Sequence, residues 1–129
     1  MAHISPDALE LVDHGPVELR DAELDGITLH LLHFTAPVDM SVMLRGLPGD
    51  VCHCPHWGIV TEGSMTVRYA DQQGADHEEV VGTGDVFCMP PGHVPTYEVG
   101  TRLIQFSPTD QMRIVDAVIE RNMRALQGA

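Results

Sequence analysis

Apolar and polar residues alternate along much of the chain from Ile27 onward. In "VDMSVMLRG" every second residue from Val38 to Leu44 is apolar, and "SMTVRYA" repeats the pattern. A period of two is that of a strand with one buried face. Other short apolar segments ("ITLHLLHFTA", "HEEVV", "VFCMP", "TYEV" and "TRLIQFS") alternate with the turn or loop segments "LPGD", "ADQQGAD", "GTGD" and "PGHVP". Short strands at regular spacing predict an all-β sandwich or barrel.

The last segment changes period and predicts an α-helix over residues 107–127. Ser107 can cap the helix, Pro108 suits its first position, and Asp110 lies where a capping-box acid belongs. One face then carries the apolar-leaning residues Met112, Val115, Ile119, Asn122, Met123 and Leu126. We expect this face to pack onto the barrel, with a dimer contact as the alternative.

Composition limits the domain organisation and the classes of partner. With 129 residues, 43% of them hydrophobic, the chain suits one domain: an N-terminal segment over 1–35, a barrel over 36–106, and the helix. A net charge of −12 argues against nucleic acid as a partner. No apolar run is long enough for a membrane span, and the N-terminus lacks a signal-peptide core, so we expect a cytoplasmic protein without a membrane partner.

Cysteine and histidine are concentrated in "CHCPHW", from Cys52 to Trp57. Three cysteines in the whole chain is an odd number, which argues against a disulfide framework and for reduced thiols. Buried cysteine can act simply as a small hydrophobic residue, and a buried histidine can simply be hydrogen-bonded. The alternative is that the group ligates a metal.

Two motifs of this sequence resemble those of the cupin superfamily, G(X)5HXH(X)3–4E(X)6G and G(X)5PXG(X)2H(X)3N. "GDVFCMPPGH", from Gly84 to His93, is similar to the second, and "GIVTEG", ending at Gly63, is similar to the end of the first. The resemblance covers residues 36–106. It implies an antiparallel, jelly-roll-like β-barrel in which the two motifs face each other, and small cupins commonly form homodimers.

The family's metal ligands are not all found at the corresponding positions of this chain. Counting from Gly63 puts the family's glutamate on His56 and its two histidines at Asp50 and Cys52. The histidine of the second motif falls on Pro95, and this chain has His93 two residues earlier.

Two alternative ligand sets follow, and both include His56 and His93. If residues 52–56 form a regular strand, Cys52, Cys54 and His56 share a face, and with His93 they make a two-thiolate, two-imidazole zinc set. If His53 faces inward instead, His53, His56 and His93 make a three-histidine set with open positions. Zinc or iron is the expected metal, with copper or nickel as alternatives.

Two further residues are candidates for the pocket. Tyr97 shares strand parity with His93, and Gln105 in "RLIQFS" can face inward among apolar neighbours. His30 and His33 lie three residues apart and therefore on opposite strand faces, so we do not expect them to act as joint ligands.

The leading hypothesis for function is a metal-dependent cupin enzyme acting on a small organic molecule inside the barrel. The pattern does not assign a reaction type. The alternatives are a non-catalytic module that binds or senses a small molecule or metal, and a metal-free structural dimer.

Overall fold

The computed structural model describes residues 3–70 and 76–127. Strands dominate this part of the chain, with single turns of 3-10 helix at Pro6–Ala8 and Pro48–Asp50. The strands and the helix are β1 (Val12–Asp13), β2 (Val17–Leu24), β3 (Ile27–Phe34), β4 (Val38–Asp39), β5 (His56–Glu62), β6 (Ser64–Ala70), β7 (Asp76–Gly82), β8 (Val86–Met89), β9 (His93–Tyr97), β10 (Arg102–Pro108) and α1 (Thr109–Gln127).

The strands form two antiparallel sheets. One has the order β1-β2-β3-β10-β5-β8, and the other has the order β4-β9-β6-β7. Neighbours in these sheets are largely distant in sequence, as in β3-β10-β5, which is the non-sequential order of a jelly-roll-like fold. The predicted all-β architecture with a C-terminal helix is confirmed. The N-terminal β2 and β3 lie inside the larger sheet, so residues 1–35 contribute directly to the sandwich.

Several predicted elements differ in extent. The strand expected in "VDMSVMLRG" is limited to β4, because the Leu44 N–H donates to the Met40 carbonyl at 3.0 Å and the chain turns there. Leu44 is thereby buried under the helix. The predicted loop "PGHVP" contributes its last three residues to β9. The predicted turn "ADQQGAD" covers residues 70–76, of which 71–75 lie outside the described residues.

The main hydrophobic core lies between the two sheets. Phe34 of β3 and Tyr97 of β9 stack across this space with ring centroids 3.9 Å apart and an interplanar angle of 10°. Around them the inward residues of several strands are buried: Val60, Met65, Val67, Phe87, Met89 and Leu103. Burying an apolar side chain of this size contributes about 1.5–3 kcal/mol, so this layer is the main stabilising contact between the sheets.

A second core lies under α1. Met112 and Val115 of the helix are buried against Leu44, Cys54 and Val94 of the same chain. The apolar face of the helix therefore packs onto its own sandwich. Among the described residues, no helix combines the length and apolar character required to cross a lipid bilayer.

The helix begins at Thr109, two residues later than predicted. Ser107 and Pro108 continue β10, where they pair with Thr28 and Ile27. The Thr109 N–H donates to the Gly26 carbonyl at 2.8 Å, and the Thr28 and Thr109 hydroxyls lie 2.8 Å apart. These contacts attach the start of the helix to the β2–β3 turn, so Ser107 is free for a different role.

Candidate metal centre

A backbone bridge joins the two cysteine- and histidine-containing segments. Cys52 pairs with His93: the Cys52 N–H donates to the His93 carbonyl at 3.0 Å, and the Gly92 N–H donates to the Cys52 carbonyl at 2.8 Å. Gly92 has φ 98°, a conformation that side chains other than that of glycine rarely adopt. The bridge fixes the Cys52 and His93 side chains next to each other.

His93 presents one free ring nitrogen to the interior. It begins β9, is 0% exposed, and its Nδ1 lies 2.7 Å from the Pro90 carbonyl. Because a carbonyl only accepts, Nδ1 carries the proton, and Nε2 therefore has a lone pair. Within the described residues this buried Nε2 has no hydrogen-bond partner. Such an atom is costly to bury unless something binds it.

His56 presents its own Nε2 to the same point. It is the first residue of β5 and is buried, and its Nδ1 lies 2.6 Å from the Ser107 hydroxyl on β10. Its Nε2 lies 3.6 Å from Cys52 Sγ. The rings of His56 and His93 meet edge to face with centroids 4.8 Å apart. Each ring is thus held through one nitrogen, as metal-ligating histidines usually are.

The three donor atoms form one compact group. A ring nitrogen of His56, a ring nitrogen of His93 and Cys52 Sγ all lie within 4.8 Å of one another. Burial, with His93 and His30 nearby, lowers the pKa of His56 to about 3, and burial lowers the pKa of His93. Burial raises the pKa of the Cys52 thiol to about 11. The group is therefore uncharged at neutral pH, with two unprotonated imidazole nitrogens available to a cation.

Cys54 and His53 lie elsewhere. Cys54 Sγ contacts Met112 Sδ at 4.0 Å in the core under α1. His53 is exposed, and its Nε2 lies 2.6 Å from the Pro48 carbonyl. The expected face-sharing of Cys52, Cys54 and His56 assumed a regular strand, but β5 begins only at His56. Whether any of these residues binds a metal remains a prediction.

The centre opens into a cavity of about 360 Å³ between the sheets and α1. Tyr97 and Gln105 both line it, as does His30. His33 lies on the opposite face of β3 and contacts Glu18 at 2.9 Å. Burial raises the pKa of Tyr97, so its hydroxyl stays protonated and can donate. Ser107 was not predicted as a site residue, because its local sequence "SPTD" is that of a helix cap.

Comparisons with known proteins identify the fold. No family model and no curated protein matches this sequence. Solved structures match, among them Bacillus subtilis oxalate decarboxylase at pH 4.6, with a TM-score of 0.60 and 14% identity over 81% of this chain and 28% of that chain. Another structure of that enzyme, concerned with its Mn(II) centres, has a TM-score of 0.59 and 13% identity over the same shares.

The chain thus spans 28% of the length of these structural neighbours. At this identity the similarity concerns the backbone and not the chemistry. Two antiparallel sheets in jelly-roll order, the "PPGH" turn that leads into β9, and the match to oxalate decarboxylase lead to one conclusion: the chain has a cupin-type fold.

Proposed function

We propose that this protein is a metal-binding cupin in which Cys52, His56 and His93 hold the metal, and that it is an enzyme acting on a small organic molecule in the adjoining cavity. The observation that carries the proposal is the convergence of these three buried donors around the unpaired Nε2 of His93. A bound cation would satisfy that nitrogen and stabilise Cys52 as a thiolate.

The number and type of donors support a catalytic site. Three protein ligands leave a coordination position for water or substrate, whereas structural zinc sites use four. A thiolate with two imidazoles suits zinc or iron, with copper or nickel as alternatives, and is softer than the oxygen-rich sets typical of manganese. A metal bound here would polarise a substrate carbonyl or activate a water molecule.

The surrounding residues would orient the ligands and the substrate. The Pro90 carbonyl and the Ser107 hydroxyl hold the two imidazoles by Nδ1, which directs each Nε2 to the same point. Apolar walls that include Phe34, Met40 and Leu32 limit water around the centre. Tyr97 and Gln105 are positioned to hydrogen-bond a bound molecule.

The cavity of this chain does not suit the substrate after which its structural neighbours are named. Oxalate decarboxylase acts, by its name, on oxalate, a small dianion. The described residues that line this cavity include neither lysine nor arginine, whereas Asp21, Asp116 and Glu120 do line it. An anion of that charge would meet repulsion at the mouth.

Metal content tests the proposal. Protein purified without chelator should contain about one transition-metal ion per chain, and Cys52→Ala, His56→Ala and His93→Ala should each lose it. His53→Ala is the matched control, because its imidazole is exposed and outside the centre. Metal-free wild-type protein after growth in supplemented medium, or loss of metal in the control alone, contradicts the assignment.

An exchangeable coordination position on the metal would distinguish an enzyme from a module that only stores or senses its ligand. Co²⁺-substituted protein should change its visible absorption spectrum when azide is added, because an exchangeable ligand position would accept the anion. A spectrum that azide leaves unchanged favours the non-catalytic module. The homodimer implied by the cupin resemblance also remains a prediction, and light scattering at micromolar concentration tests it.

A further inference from the structure

A row of polar side chains crosses the cavity wall of the larger sheet. Gln105 of β10 pairs with His30 of β3, and His30 pairs with Asp21 of β2. All three line the cavity. Gln105 and His30 are buried, whereas Asp21 is exposed at the mouth. Since neighbouring strands lie about 4.8 Å apart, the row extends roughly 10 Å from the interior to the mouth.

The inner end of the row is an unsatisfied hydrogen-bond acceptor. Gln105 is 4% exposed, and its Oε1 has no hydrogen-bond partner among the described residues. An amide oxygen can only accept. A buried acceptor without a donor is destabilising, because it loses its hydrogen bond to water and gains none in return. A ligand that donates an O–H or N–H at this depth would remove that penalty.

The outer end of the row is acidic. Asp116 and Glu120 lie one helical turn apart on α1 and line the cavity together with Asp21 of β2. Arg113, in the same helix, is engaged outside the cavity with Glu23 at 2.7 Å. Loss of solvation at the mouth, together with Asp21, Glu120 and Glu23, raises the pKa of Asp116 to about 6. The carboxylates repel one another, and neither lysine nor arginine is among the described residues of the cavity wall.

We infer that the cavity binds a small organic amine in its protonated form, with an apolar body of about six atoms between the ammonium group and a second hydrogen-bond donor. The ammonium lies among Asp21, Asp116 and Glu120, the body lies against apolar walls that include Leu19 and Met123, and the donor reaches Gln105 Oε1. The inference deepens the proposed function and rests on it for the view that this cavity is the substrate site.

Three probes of equal length test the charge preference: 6-aminohexan-1-ol, hexane-1,6-diol and 6-hydroxyhexanoate. Each has six carbons and a hydroxyl at one end, and the other end is an ammonium, a neutral hydroxyl or a carboxylate. Isothermal titration calorimetry with the full chain should show the aminoalcohol binding at least about fivefold more tightly than the diol, and the hydroxy acid binding most weakly. Raised salt should weaken binding of the aminoalcohol only.

Variants identify the contacts. Glu120→Gln should weaken the aminoalcohol about two- to fivefold and leave the diol unchanged. Glu98→Gln is the charge-matched control, because Glu98 is exposed and outside the cavity lining. Gln105→Leu should weaken the aminoalcohol and the diol equally. Should Gln105→Leu fold poorly, the Glu120→Gln comparison alone decides.

The inference is overturned if the hydroxy acid binds as tightly as the aminoalcohol or if no probe binds at millimolar concentration. It is also overturned if Glu120→Gln and Glu98→Gln change the affinity for the aminoalcohol equally. Repeating the titrations after chelation separates this result from the metal proposal. If the protein binds no metal but still prefers the aminoalcohol to the diol and the hydroxy acid, the proposed function is wrong and the inference about the ligand is supported. A chain that holds metal but prefers the hydroxy acid contradicts only the ligand class.

Discussion

Ser107 Oγ lies 2.6 Å from Nδ1 of His56, and both side chains are buried. The contact joins neighbouring strands, since β10 pairs with β5. If His56 Nε2 bound a metal, Nδ1 would carry the proton and donate a hydrogen bond to the hydroxyl oxygen. Ser107 would therefore act as a positioning residue if the candidate centre binds a metal.

Ser107→Ala should reduce metal affinity about 10- to 100-fold, because the imidazole loses the partner that sets its orientation and protonation. Competition with a chromophoric chelator measures this. Ser64→Ala on β6 is the matched control, since Ser64 does not line the cavity. Equal affinities of the two variants would remove Ser107 from the site, and Ser107→Thr, which keeps the hydroxyl, should restore part of the loss.

Metal binding should be strongly pH-dependent through Cys52 alone. Its thiol pKa of about 11 means that the metal-free protein holds this proton at neutral pH, and ligation releases it. The pKa values of His56 and His93 are lowered, so both rings are already unprotonated. Affinity should therefore rise about tenfold per pH unit between roughly pH 7 and 9.

Calorimetry in two buffers of different ionisation enthalpy measures the proton count, which should be about one per metal at pH 7. Cys54→Ala should keep this release, whereas any residual metal binding by the two imidazoles of Cys52→Ala should release no thiol proton. A pH-independent affinity in the unmodified protein would show that no thiol is deprotonated on binding, and the assignment of Cys52 would be wrong.

Two adjacent residues of α1 allow a buried position of the helix to be compared with an exposed one. Val115 is 4% exposed in the core under the helix, whereas Ile114 is 64% exposed. Val115→Glu should lower the free energy of unfolding by roughly 3–5 kcal/mol, because it buries an unpaired charge. Ile114→Glu should change it by less than about 0.5 kcal/mol. Urea denaturation of both variants checks this, and equal stabilities would contradict the packing of the helix described above.

Gly58 of β5 has no room for a side chain. A Cβ there would collide with the Ile104 carbonyl and would lie 2.7 Å from Phe87 Cζ. Gly58→Ala should therefore destabilise the protein by about 1–3 kcal/mol and disturb the strand that begins at His56. In Gly82→Ala, the control, the new Cβ would lie no closer than 3.7 Å to Asp85 Oδ2. Thermal unfolding should separate the two variants, and equal midpoints would count against the tight β5–β10 contact.

The cupin-type sandwich could be predicted from the sequence because its determinants are local. Alternation in "SMTVRYA" and "RLIQFS" and the turns at Gly63 and Gly84 specify strands and reversals without reference to distant residues. The C-terminal helix could be predicted from its apolar periodicity, but its predicted start was two residues too early. Ser107 reads as a cap in isolation, but pairing with β3 keeps it in a strand.

The sequence by itself also determined that His56 and His93 were the leading candidates, since each lies beside a recognisable motif. Only the tertiary structure decided which sulfur joins them. Strand parity placed Cys52 and Cys54 on one face, but the segment before His56 is irregular, and the Cys52–His93 bridge turns one thiol to the centre while Cys54 packs under α1. The same holds for the pocket: Gln105 is far in sequence from His30 and Asp21, and only the pairing of β10 with β3 places the three residues in one row.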